Sequence, residues 1–74
     1  MLMPLDMLRA GEHAEVAEVA GHDSWVGRLA ELGIRPGCRL RVVQPGSPCL
    51  LDVGGCKLCL RGAECSAILV RPVS

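Results

Sequence analysis

Gly54-Gly55 stands between two alternating runs, Cys49–Val53 and Cys56–Leu60. A two-residue hairpin turn that matches the twist of its strands needs positive φ, which glycine adopts without steric cost. Such a turn fixes the strand register. Val53 then opposes Cys56, Asp52 opposes Lys57, Leu51 opposes Leu58, Leu50 opposes Cys59 and Cys49 opposes Leu60. Successive side chains alternate faces. Cys49, Leu51, Val53, Cys56, Leu58 and Leu60 therefore share one face, continuous and apolar, which is expected to be core. Leu50, Asp52, Lys57, Cys59 and Arg61 share the other. An Asp52–Lys57 pair across the strands would add about 0.2–1 kcal/mol.

The same register bears on the C-x2-C pair, Cys56 and Cys59. That spacing occurs in zinc sites and redox dithiols. Residues three apart on a regular strand point to opposite faces, so the two thiols are not expected to share one tetrahedral ion or a disulfide. A structural zinc site wants four ligands, typically two such pairs on turns, and a second pair is missing. A reactive dithiol sits at a helix N-terminus, and this one sits in a strand. Cys38, Cys49, Cys56 and Cys65 read as small core hydrophobes. Cys59 is expected outside, beside Leu50 and between the cations Lys57 and Arg61. His13 and His22 fall near loops or strand ends and read as exposed.

The remaining chain offers short elements joined by tight turns. Leu5–Leu8 reads as one short turn, closed at Ala10-Gly11. His13–Val19 alternates, and Val19 keeps an inward position only with one residue inserted after Val16, the mark of a bulge. Asp23 or Ser24 is expected to cap a helix over Ser24–Leu32, with Val26, Leu29 and Ala30 on one face and Gly33 as its left-handed stop. Trp25 lies on the edge of that face and is read as a lid on the core. After a Pro36-Gly37 turn, Cys38, Leu40 and Val42 point inward and Arg39 and Arg41 outward. Pro45-Gly46-Ser47-Pro48 is a loop. Gly62–Ala67 is a turn or single helical turn, and Ala67–Arg71 a closing strand. The pattern is that of a mainly β, small, partly open barrel.

Composition narrows the function. The chain has 74 residues, one Trp, no Phe and no Tyr, and its formal net charge is zero. Nucleic-acid binders carry a basic excess or stripe, and single-strand binders add stacking aromatics. Neither is present, so nucleic acid is not an expected partner. Pro4, Asp6 and Arg9 interrupt the N-terminal apolar segment, which does not read as a signal peptide. No apolar run approaches the roughly 18 residues of a membrane span. Free thiols and a cytoplasmic setting are expected. The chain shows no Gly-rich phosphate loop, H-x-x-x-H pair or nucleophile elbow, and an enzyme is not expected.

The run "LAELGIRPGCRLRV", Leu29 to Val42, resembles the signature of the ferrous iron transport protein A (FeoA) family. Leu29, Glu31-Leu32-Gly33-Ile34, Pro36-Gly37, Leu40 and Val42 carry the likeness. "DVGGCKLCLR" and "AECSAILVRP" resemble the family's second half, and the likeness extends from Leu5 to Pro72. It implies one SH3-like barrel of about five strands with a short helix over residues 1–74. It also implies a cytosolic, non-enzymatic accessory of bacterial ferrous iron uptake, peripheral to the inner membrane through the FeoB-type transporter and docked on its GTP-binding domain. A related SH3-like module occurs in iron-dependent repressors, which also need a helix-turn-helix domain that these residues do not supply. Family members usually place other residue types at Cys49, Cys56, Cys59 and Cys65, so the resemblance carries no metal site onto those thiols.

The docking surface expected from the residues is the outward face of the hairpin. Leu50, Cys59 and Trp25 are its apolar members, rimmed by Arg39, Arg41, Lys57 and Arg61. A second reading is a small metal-binding protein. It would hold zinc or ferrous iron on Cys56, Cys59 and a histidine, or across a homodimer whose two-fold axis joins two copies of Cys59.

Overall fold

The computed structural model describes residues 1–46 and 48–73. Its strands are β1 (Met3–Pro4), β2 (His13–Val19), β3 (Arg39–Gln44), β4 (Cys49–Val53), β5 (Cys56–Leu60) and β6 (Ile68–Val73). A 3-10 turn spans Leu5–Met7, and two helices, α1 (Asp23–Glu31) and α2 (Gly62–Ser66), interrupt the strands. All six strands join one antiparallel sheet in the order β1-β6-β2-β3-β4-β5. A sheet with one apolar face and only short helices to cover it must curl around its own core. The buried side chains accordingly form one cluster that includes Leu5, Ala14, Val16, Leu29, Ile34, Leu40, Val42, Leu51, Ile68 and Val70. Each large member stabilises the fold by roughly 1.5–3 kcal/mol through burial.

The β4–β5 hairpin has the register set by its turn: Cys49 opposite Leu60, Leu50 opposite Cys59, Leu51 opposite Leu58, Asp52 opposite Lys57 and Val53 opposite Cys56. Gly54 and Gly55 take φ of 58° and 91°. The bulge in β2 is also where the apolar pattern puts it, between Val16 and Glu18 in the pairing with β6. Gly33, with φ of 97°, ends α1, and Ile34 N–H returns to the Leu29 carbonyl at 2.8 Å.

Several expectations need correction. Cys56 is exposed rather than buried. It stands on the edge strand at the hairpin end, past the cover of the core. A Cβ at Gly33 would meet Val53 Cγ1 at 3.5 Å, so packing after α1 reaches Val53, which is 8% exposed. His22, not Asp23 or Ser24, is the N-cap of α1, and it makes no side-chain capping bond. Asp23 instead enters the first turn, where its carboxylate meets the positive end of the helix dipole. A second irregularity, between Val42 and Gln44 in β3, was not expected from the sequence. The two-residue β1 pairs with Leu69 and Val70 and adds a strand to the five expected. Ser47, in the loop after β3, lies outside the described residues.

Cys49 and Cys65 are buried, Cys38 is half-buried, and Cys59 is exposed. Burial pushes the Cys49 thiol above its ordinary pKa. Burial foremost, then the neighbouring Cys49 thiol, pushes Cys65 up to about 12. An ionised sulfur there would lose its hydration without a compensating partner.

Candidate functional site

The outward surface of β3, β4 and β5 is built in rows by strand register. Arg41, Asp52 and Lys57 form one row. Gln44, Leu50 and Cys59 form the next. Leu50 is half-buried and Cys59 exposed, so the centre of this surface is a small apolar spot. Arg61 follows directly at the N-cap of α2, its backbone N–H donating to Glu64 Oε1 at 2.8 Å. Leu50, Cys59, Lys57 and Arg61 are thereby brought together, with Arg41 one row away.

Asp52 organises the charges here differently from the sequence expectation. Its Oδ1 accepts the Gly55 N–H at 3.0 Å, and its Oδ2 accepts from Arg41 Nη2 at 3.5 Å. One oxygen thus braces the glycine turn and the other faces β3. Lys57, although opposite in register, forms no ion pair among the described residues. The expected Asp52–Lys57 pair is replaced by Asp52–Arg41, and Lys57 is left to solvent.

Arg39 and Arg41 project from the same side of β3, and both are exposed. His13 lies opposite Arg41 on β2, and Glu15 lies opposite Arg39. Glu15 Oε1, however, accepts from Arg71 Nη1 of β6 at 3.3 Å. The sequence-level reading missed His13 and Asp52 as neighbours of these arginines. Alternation shows only that they point outward; the β2–β3 and β3–β4 pairings that gather them are non-local.

Trp25 sits in the first turn of α1. Its indole Nε1 donates to the Ala20 carbonyl at 3.1 Å, the ring lies against Gly21, and the side chain packs on the core cluster while half-buried. That matches the lid reading. His22 is exposed in the loop before α1.

Cys56 and Cys59 are both exposed, and by strand alternation they lie on opposite faces of β5. Among the described residues no three His, Cys, Asp or Glu side chains converge to hold an ion. No helix among them is long and apolar enough to cross a membrane. The surface has a limited apolar centre, fixed by strand pairing, with exposed Arg41, Lys57 and Arg61 near it.

Comparison with known proteins bears on the family and the fold. No curated protein matches the chain. Among solved structures, the FeoA protein of Chlorobium tepidum has 35% identity and a TM-score of 0.90, over 97% of this chain and 71% of that one. FeoA of Stenotrophomonas maltophilia, solved in complex with zinc and described as a prokaryotic SH3 domain protein, has 33% identity and a TM-score of 0.81, over 93% and 89%. IdeR of T. acidophilum shares the fold at 18% identity and a TM-score of 0.88, over 97% of this chain but 34% of that one. The architecture is therefore an SH3-like domain. The FeoA domain matches residues 3–72, from the first residue of β1 to the penultimate residue of β6. With the domain matched over nearly the whole length and the fold shared with FeoA proteins up to 35% identical, this chain belongs to the FeoA family, whose members are linked to ferrous iron transport.

Proposed function

We propose that the chain is a non-enzymatic docking module of bacterial ferrous iron uptake, cytoplasmic and held at the inner membrane through a FeoB-type transporter. The observation that carries this reading is the apolar Leu50–Cys59 pair, set outward on paired strands and rimmed by Lys57, Arg61, Arg41 and Arg39. Clustered apolar side chains on an otherwise polar surface suit a protein partner, and arginine with a central apolar contact is a common composition for interface centres. Family membership supports the setting, as does the description of the Stenotrophomonas relative as a candidate ferrous iron transport activating factor. The partner surface is the cytoplasmic GTP-binding domain. Trp25 belongs to the proposed contact through the ring surface it leaves exposed, a separate anchor on α1.

The test is capture of the purified GTP-binding domain by the immobilised chain. Leu50→Asp should weaken capture at least tenfold, the scale of burying an unpaired charge in an apolar contact, while the circular dichroism melt stays nearly unchanged. Undiminished capture by a folded variant would remove Leu50 from the docking face.

A second reading is favoured by the zinc complex of the Stenotrophomonas relative. Cys59, exposed on an edge strand, could supply one thiolate from each of two copies to a shared ion; thiolates prefer zinc to ferrous iron. Stoichiometric zinc titration with the oligomeric state followed in parallel distinguishes it. Binding at one ion per dimer, lost in Cys59→Ser, supports a metal-linked homodimer; ferrous iron added anaerobically serves as the comparison.

A further inference from the structure

We propose that the depression on the outward side of β2, β3 and β4 is a carboxylate-binding site, and that its occupant is an extended acidic segment of a protein partner. The depression has a volume of about 210 Å³ and is lined by His13, Arg39, Leu40, Arg41, Asp52 and Gly54. Gly54, without a side chain, leaves its hairpin end open. The proposal rests on the docking-module reading and specifies what its cationic end recognises.

The charges in the depression are incompletely matched among the described residues. Glu15, the cross-strand neighbour of Arg39, is drawn to Arg71 instead. Arg39 forms no ion pair among the described residues. Among the described residues Arg41 is held only by Asp52, at 3.5 Å, and both side chains retain solvent contact at 44% and 25% exposure. Two arginines therefore line one concave surface that holds a single carboxylate, Asp52, set against Arg41. A guanidinium offers a planar fork of donors that fits a carboxylate, so the unfilled donor capacity selects that chemistry.

Strand geometry specifies the segment further. Arg39 and Arg41 are two residues apart on the same side of β3, which sets their backbones about 7 Å from each other. An extended peptide repeats its own side chains at the same spacing. Acidic residues at alternate positions would therefore meet both arginines in register, with His13 at one side. A nucleic acid is a poorer occupant: the chain has no net positive charge and no Phe or Tyr to stack bases.

The test uses the 15N-labelled full chain and an acetylated, amidated Glu-Thr-Glu-Thr-Glu peptide, followed by NMR titration at low salt. The amides of His13, Arg39, Arg41, Asp52 and Gly54 should shift together. Arg39→Ala should weaken binding roughly three- to fivefold, the scale of a partly exposed ion pair, and Arg28→Ala on α1 should leave it unchanged. Asp52→Asn should tighten binding by releasing Arg41. Equal binding of a Gln-Thr-Gln-Thr-Gln peptide, or equal loss in Arg28→Ala and Arg39→Ala, would overturn the site. An oligouridylate that shifts the same amides at lower concentration would overturn the assignment to a protein segment. Transporter capture is a separate readout. If Leu50→Asp leaves capture intact while the peptide still binds, the docking face is wrong and the carboxylate site stands. If capture behaves as expected and the peptide does not bind, the reverse holds.

Discussion

The five cysteines divide by environment rather than by spacing. Cys49 and Cys65 are enclosed, whereas Cys56 and Cys59 reach solvent. Under native conditions a maleimide reagent should modify Cys56 and Cys59 readily and spare Cys49 and Cys65 until the chain unfolds, as mass spectrometry of the labelled protein would show. The buried pair also has a pH signature. The Cys65 pKa rises from 9.0 to about 12 on folding, so the unfolded chain gives up this proton first. Between these values the unfolded state binds fewer protons, and stability must fall as pH rises; below pH 9 the contribution is intact. The slope should approach about 1.4 kcal/mol per pH unit for this thiol. Urea midpoints taken from pH 8 to 11 should decline less steeply in Cys65→Ala, and parallel declines would contradict the assigned burial. The inward direction of Cys49 and Cys65 was legible from strand alternation and the turn before the last strand. The exposure of Cys56 was not, because alternation gives the face of a residue but not how far the opposing layer reaches.

At the scale of elements, local chemistry was most informative where backbone geometry admits few residues. The Gly54-Gly55 turn determined five cross-strand pairs, and the misplaced apolar residue at Val19 located the β2 bulge. The start of α1 was less legible. Asp and Ser are favoured caps, yet the chain turns one residue earlier, at His22, where the segment from Ala20 to Trp25 closes on itself. There the Trp25 indole bonds the Ala20 carbonyl and lies over Gly21, whose φ is 131°. A methyl group at Gly21 would run into that ring and the backbone would be strained as well. Gly21→Ala should cost about 1–3 kcal/mol, seen as a lower urea midpoint with altered tryptophan fluorescence. An unchanged midpoint would mean that the loop does not depend on this packing. The Asp52–Lys57 expectation failed for an element-level reason too: β4 lies between β3 and β5, and Asp52 met a rival cation and a turn N–H that pairwise reading of one hairpin leaves out.

For the whole molecule, a zero net charge conceals an uneven surface. The outward side of β3 to β5 gathers Arg39, Arg41 and Lys57 against Asp52, with the Leu50–Cys59 spot alongside, while Glu15, Glu18 and Arg71 lie on β2 and β6. The fold class was legible because many short alternating segments with tight turns and one brief helix leave few architectures open. The grouping of His13 with the arginines was not, since it depends on which strands become neighbours when the sheet curls. The docking account makes this one side the part of the molecule that matters to a transporter. Its most direct test is an NMR map of the 15N-labelled chain against the unlabelled GTP-binding domain of a FeoB-type transporter. The account predicts that the signals of Leu50, Lys57, Cys59 and Arg61 broaden or shift first, at sub-stoichiometric partner. Perturbations confined to the 3-10 turn and β1, with the β4–β5 signals unmoved at saturation, would contradict it.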